Sequence, residues 1–324
     1  MKFTSTTALA CSAILLWACS DTPSADEQSA PQSEIESDAL APTDGAANLV
    51  EIRAVGMTLE GPSQIPSGWT TLRFVNASDM IHFAIVDVPP AGVVMGEFAK
   101  AMNTFQSAMD AINKDDVDGM NAAFGQFPAW MGDLGRMGGP GFLSPGLTGE
   151  TTVFLEPGTY IIECYVKSNG VFHTTSPSEE QLGMMLEVTV TDETTDAVAP
   201  TSNATVSISN DGFAITEGTL QAGANIIAVE FAEQQIFPSV VGNDLHVMRV
   251  TNGDSIPMAS AWLNWMEKAG LEDPAPVTFL GGVNDMPAGS TAYLHIDLEP
   301  GTYAFIAEVP DPLSTGHTMS FTIE

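Results

Sequence analysis

Cys164 is the residue with the most chemistry to offer. The chain has three cysteines. Cys11 lies inside an N-terminal apolar stretch and Cys19 closes it, so Cys164 is the only thiol in the part of the chain that can build a core. A lone thiol cannot form an internal disulfide, and three readings stay open: a packed inert residue, a reactive thiol, or a metal ligand. Five histidines accompany it: His82, His173, His246, His295 and His317. No Ser-His-Asp order, HExxH pair or Gly-rich phosphate loop is present, so the usual hydrolytic and phosphoryl-transfer machinery is not expected.

The leader says where such chemistry would happen. Lys2 precedes an apolar run from Thr7 to Trp17, shorter than the ~20 residues a bilayer span needs. The run ends in Leu16-Trp17-Ala18-Cys19, which resembles a bacterial lipobox, with residues 1–18 as signal peptide and Cys19 as the lipidated residue. Ser20 rather than Asp follows it, which by resemblance to sorting rules favours an outer-membrane lipoprotein facing the periplasm or cell surface. Residues 19–47 hold almost no large apolar side chain and read as a disordered tether with a root-mean-square span of about 30 Å. Acidic residues outnumber basic ones 41 to 9, for a net charge of -32. That balance argues against nucleic acid and anionic lipid as partners and reads as a solvated acidic surface suited to salty surroundings, with attraction for cations or basic partners as the alternative.

The body repeats itself. Leu155-Glu156-Pro157-Gly158-Thr159-Tyr160 returns as Leu298-Glu299-Pro300-Gly301-Thr302-Tyr303. Period-two runs, Thr151 to Leu155 and Thr291 to Leu298, lead into each copy, and Pro-Gly turns the chain into the next strand. Many short strands with Gly/Pro turns predict an all-β chain of two tandem β-sandwiches. The first spans 48–192, a Thr/Asp/Ala/Pro/Ser linker spans 193–203, and the second spans 204–324. The first copy carries an insert over about 96–137. There Phe98, Met102, Phe105, Met109 and Ile112 recur at helical spacing, a Met-rich face that packing explains better than metal. A shorter helix is expected over Asn121 to Trp130, and another around Ser260 to Lys268 in the second copy.

Three segments of the first copy carry a resemblance. Phe74-Val75-Asn76 with His82, Gly158-Thr159-Tyr160 with Cys164, and His173 followed by Gly183-Met184-Met185 resemble the cupredoxins. The resemblance covers most of 49–191 outside the insert. It implies Greek-key sandwiches and one copper ion, with His82, Cys164 and His173 as equatorial ligands and Met184 as axial thioether. Two imidazoles, a thiolate and a weak thioether make a type 1 copper site. Met185 is the neighbour that alternation along a strand sets on the opposite face. Eight residues separate Cys164 from His173, and ten separate His173 from Met184, longer spacings than in the small electron carriers of the family. In the second copy Ala307 stands where Cys164 stands, His317 falls at the Met184 position, and His246 matches His82. No blue copper site is expected there; a His246/His317 pair with Met319 would hold copper only weakly. His295 is expected at the surface.

The expected function is therefore a membrane-tethered copper protein for electron transfer or copper handling, with a redox or copper-delivery protein as partner. The chain is not expected to be an enzyme, because the three further histidines of a type 2 copper have no place near the first copy. The alternative is a metal-free binding or scaffold lipoprotein of the same fold, with the insert as its partner surface.

Overall fold

A computed structural model describes residues 48–178 and 180–324. The signal segment, Cys19 and the tether lie outside the described residues. The first half runs β1 (Asn48–Val55), β2 (Thr58–Glu60), β3 (Gln64–Asn76) and β4 (Ile85–Val88), then the insert, with α1 (Met95–Asn113), α2 (Val117–Phe124) and a 3-10 turn at Ala129–Asp133. It continues through β5 (Gly135–Arg136), β6 (Thr148–Leu155), β7 (Gly158–Glu163), β8 (Lys167–Ser168), β9 (Val171–Phe172) and β10 (Met185–Thr194). The second half comprises β11 (Ala204–Ser209), β12 (Gly212–Gly218), β13 (Gly223–Phe231), β14 (Leu245–Arg249), α3 (Ser255–Trp262), β15 (Phe279–Val283), β16 (Thr291–Leu298), β17 (Gly301–Ile306) and β18 (Thr318–Ile323).

The repeat in sequence is a repeat in pairing. β1 runs parallel to β3, which pairs antiparallel with β6; β11, β13 and β16 do the same. The facing layer is β4-β7-β10 in one half and β14-β17-β18 in the other. Period-two alternation turns Val50, Ile52 and Ala54 of β1 inward, as it does Ala292, Leu294, Ile296 and Leu298 of β16. The repeated Tyr has a mechanical role. Its hydroxyl donates to the carbonyl four residues back, Tyr160 to Glu156 at 2.9 Å and Tyr303 to Glu299 at 2.8 Å, and so pins each Pro-Gly turn.

The two sandwiches share a sheet. β6 pairs antiparallel with β16, aligning Glu150 with His295 and Thr152 with Tyr293. His295 is therefore half-buried at the junction rather than on the open surface, with Nε2 2.8 Å from Thr152 Oγ1. β10 runs to Thr194, into the expected linker, because its end pairs parallel with the start of β3.

The insert packs as its periodicity predicted. Phe98, Ala99, Ala101 and Met102 of α1 close over Ile161 of β7 and Met185 of β10, so the Met-rich face is core. Two helix positions differ from expectation. α2 starts early, because the Asp116 side chain accepts from the Gly119 N–H and caps it at 117. α3 occupies 255–262 rather than 260–268; Pro257 sits in its first turn, where a missing N–H costs nothing.

Candidate metal centre

The loops between strands bring His82, Cys164 and His173 together. One donor atom from each lies within 4.8 Å of the others, and all three residues are buried. His82 follows β3 in a bridge with Leu143: its N–H donates to Leu143 O and its C=O accepts from Leu143 N–H. Asn76 secures that loop by donating from Nδ2 to Met80 O and Leu143 O, both at 2.8 Å. Cys164 stands directly after β7.

His173 returns to Cys164 through a device the sequence reading missed. Six of the eight intervening residues, 167–172, form the β8–β9 hairpin, and Asn169-Gly170 is its turn, with φ of 54° and 77°. Positive φ at both central positions is what a type I′ turn requires, and Asn-Gly is its preferred pair. The spacing that looked long for a rigid site is thus a folded element. The next loop is closed by backbone. Met184 N–H donates to His173 O at 2.7 Å, and Met184 O accepts from Cys164 N–H at 3.2 Å. Gly183 permits this approach; a Cβ there would sit 2.1 Å from Thr174 O. Met184 is fully buried in the main core between these two loops, whereas Met185 packs under α1.

The orientation of the rings decides what the cluster can do. Cys164 Sγ lies 3.5 Å from His82 Nδ1 and 3.9 Å from His173 Nδ1. An N and an S donor bound to one ion at ~2.0 and ~2.3 Å, ~120° apart, would be separated by about 3.7 Å. Each Nε2 faces a hydroxyl instead: Ser78 Oγ at 3.0 Å for His82, Ser168 Oγ at 2.9 Å for His173. With Nε2–H donating to these serines, both Nδ1 lone pairs point at the sulfur, the outer hydrogen bond fixing the tautomer that faces inward. Ser168 Oγ in turn lies 3.5 Å from Met80 Sδ, an acceptor for its proton.

Burial sets the charges. It lowers His82 to about 4, against weaker opposing effects of the Gly56 backbone and Asp79. Burial, and then the neighbouring His82, lowers His173 to about 3. Burial pushes the Cys164 thiol up to about 12, although the Phe83 and Val166 backbones oppose it. Without an ion the cluster is a neutral thiol between two neutral imidazoles. A cation would favour the thiolate and take both Nδ1 lone pairs, of which the single thiol proton can engage only one. The residues therefore fit a copper ion by donor type, direction and spacing.

The second half offers nothing equivalent. His246 pairs with Ile306 as Ile85 pairs with Glu163, so it occupies the place of Ile85, three residues on from the His82 position. Asn243 falls at the His82 position. His317 does match Met184, with Ala307 N–H donating to His317 O as Cys164 N–H donates to Met184 O. Its ring, however, faces Thr315 Oγ1 and Ser209 O, while His246 faces Phe142 N–H and Asp244. The structure does not join His246 and His317 into a pair.

No protein-family model matches the chain, and no curated protein matches it in sequence. Solved structures do. The chain is similar to reduced auracyanin from the photosynthetic bacterium Roseiflexus castenholzii, with 25% identity over 45% of this chain and 98% of that one and a TM-score of 0.25. Auracyanin A, a "blue" copper protein from Chloroflexus aurantiacus, matches at 20% identity over 44% and 97%, with a TM-score of 0.25. A multicopper oxidase matches at 12% identity over 85% and 88%, with a TM-score of 0.21. The chain itself folds as two β-sandwiches of one topology, the first with a buried His-Cys-His group at the end of its β7 layer.

Proposed function

We propose that this chain is a copper-binding lipoprotein of the bacterial envelope, held to a membrane through Cys19, that serves electron transfer or copper handling. His82, Cys164 and His173 would hold the ion through Nδ1, Sγ and Nδ1, with Met184 as a thioether donor. The observation that carries this reading is the convergence of both Nδ1 atoms on one buried sulfur while both Nε2 atoms are spent on serines. When bound there, copper supplies one-electron exchange between Cu(I) and Cu(II). The chain's own contribution is to hold the donors still. The hairpin, the Met184 backbone and the two serines fix ring positions before any ion arrives, so little reorganisation accompanies a change of charge. Burial excludes water from the site.

A metal-free scaffold would have no use for two imidazole lone pairs directed at a thiol. The lipobox and the Ser20 rule support an outer-membrane location, with a redox or copper-delivery protein as the partner. The reading is of a carrier, because it rests on the one His-Cys-His group.

Adding Cu(II) to the purified chain is expected to give one tightly held copper and intense thiolate-to-copper absorption in the visible. A colourless protein that keeps no stoichiometric copper through dialysis would sink the proposal.

A further inference from the structure

The apolar face of α1 lies on the sandwich, and a polar stripe runs beside it. Asn103, Gln106 and Asp110 recur at three and four residues, so they share one face of the helix. Gln106 is 8% exposed. Its Nε2 donates to Asp110 Oδ1 at 2.8 Å and to Gly170 O at 3.1 Å. Its Oε1 accepts from the Phe172 N–H at 2.8 Å and from the Thr175 hydroxyl at 3.1 Å. A glutamine amide offers two N–H donors and two lone pairs, and all of them are engaged. The amide fits only this way round, because the Phe172 N–H can only donate and the Gly170 carbonyl can only accept.

These bonds surround His173. Phe172-His173-Thr174-Thr175 is a turn closed by the Thr175 N–H, which donates to Phe172 O at 2.9 Å. Gln106 Oε1 bridges both ends of that turn, and Nε2 reaches back to the hairpin at Gly170. Asn103, one helical turn earlier, accepts from the Ser176 N–H at 2.8 Å. Ser176 Oγ in turn accepts from the Gly183 N–H at 3.1 Å, beside Met184. The apolar side of the same helix is fixed on the strand that leads to Cys164, where Phe98, Ala101 and Met102 pack with Ile161 of β7. One helix therefore joins the strand that bears the thiol to the turn that bears the imidazole.

All three donors of the centre are buried, so an ion reaches them only when a wall of the site moves. The His82 wall is backbone pairing with Leu143. The residues flanking His173 hang on side-chain amides of an inserted helix, and side chains can let go without unpairing a sheet. We infer that Gln106 is the positioning residue for His173, and that the helical insert is a latch through whose release copper enters and leaves. The inference rests on the copper reading and adds the element that controls exchange at that site.

The test uses the full chain, loaded with Cu(II) in one arm and metal-free in the other. Gln106→Ala keeps every ligand, so it should still take one copper but release it to chelator about tenfold faster or more, since several hydrogen bonds leave the closed state. In the metal-free arm Cys164 should react with iodoacetamide faster by a similar factor. Because losing a buried amide can unfold a chain, a second variant keeps the shape. At neutral pH Gln106→Glu retains both acceptor bonds but sets a carboxylate against Asp110 and the Gly170 carbonyl, and it should also speed both rates. Adding Asp110→Asn supplies a donor to that carboxylate and should slow them again, a rescue that general destabilisation would not show. Unchanged copper release or unchanged Cys164 reactivity in Gln106→Ala overturns the inference, as does a double variant no slower than Gln106→Glu. An unaltered chain that keeps no copper would fell the copper reading alone, and the Cys164 rates would still decide whether Gln106 holds the His173 turn.

Discussion

Cys164→Ser is expected to abolish the visible absorption of the copper-loaded protein and to weaken copper binding by about a hundredfold or more. Structural ions bound by four protein ligands gain roughly 10–16 kcal/mol, so one ligand is worth about 3 kcal/mol, or about two powers of ten. The size of the cavity hardly changes, since oxygen replaces sulfur in a site closed by the Phe83 and Val166 backbones. The fold should therefore survive and the loss be one of chemistry. The pH dependence separates a lost ligand from a lost shape. In the metal-free protein the thiol stays protonated up to about 12, while the imidazoles are neutral above about 4 and about 3. Between those limits copper binding by the unaltered chain must release the Cys164 proton. The apparent affinity then rises about tenfold per pH unit, ~1.4 kcal/mol each. Below about 4 the slope steepens as protons compete for the His82 and His173 nitrogens. In the serine variant the slope above pH 4 should vanish, since a hydroxyl stays protonated across the whole range. Isothermal titration at several pH values measures both quantities; a serine variant that keeps the slope would show that Cys164 is not the proton donor.

What the sequence made legible, and what it did not, divides by range of interaction. The strands around Gly158-Thr159-Tyr160 and Gly301-Thr302-Tyr303 were readable because period-two alternation and the Pro-Gly turn are local. So was the packing role of Phe98, Met102 and Met109, which rests on spacing within one helix. The Cys164–His173 loop was locally readable too: Asn169-Gly170 between Lys167-Ser168 and Val171-Phe172 is a hairpin signal, and counting eight residues as an open loop passed over it. His246 is different in kind. Matching it to His82 by order along the chain fails by three residues, and only the β14–β17 register reveals that. The burial of Asp244 and Glu308 was invisible because an acidic residue beside a strand in a chain of net charge -32 reads as solvent-facing. Glu308 meets Tyr165 of the first half, and no local pattern encodes which residues of the two halves meet.

Lys167→Met is expected to lower the stability of the metal-free protein by about 3–5 kcal/mol and to loosen the copper site without touching a ligand. Lys167 is fully buried, and its ammonium donates to the carbonyls of Glu267 at 2.8 Å, Trp265 at 3.2 Å and Lys268 at 3.5 Å. Burial lowers it to about 8, with Glu272 and Glu267 opposing, so it is charged at neutral pH. Hydrogen bonds from a charged donor contribute roughly 1.5–3 kcal/mol, and carbonyls left without a partner add to the cost. Methionine keeps the apolar stem and removes only the donors, so cavity formation enters little. The Tm should fall by about 5–10 °C. The consequence for copper follows from where the residue sits. Lys167 begins the hairpin that returns His173 to Cys164, and its backbone is clamped to the second half, with Lys167 N–H donating to Leu271 O and Asp273 N–H to Lys167 O, both at 2.8 Å. Glu272 accepts from the Gly170 N–H at the hairpin turn, and Asp273 Oδ1 from the Ile81 N–H beside His82. The half of the chain that lacks the thiolate thus holds both histidine loops of the half that has it. Freed from this anchor, His173 should bind less steadily, and copper should leave Lys167→Met faster while the absorption maximum of the bound form stays in place. Unchanged melting together with unchanged copper release would show that the second sandwich does not brace the site.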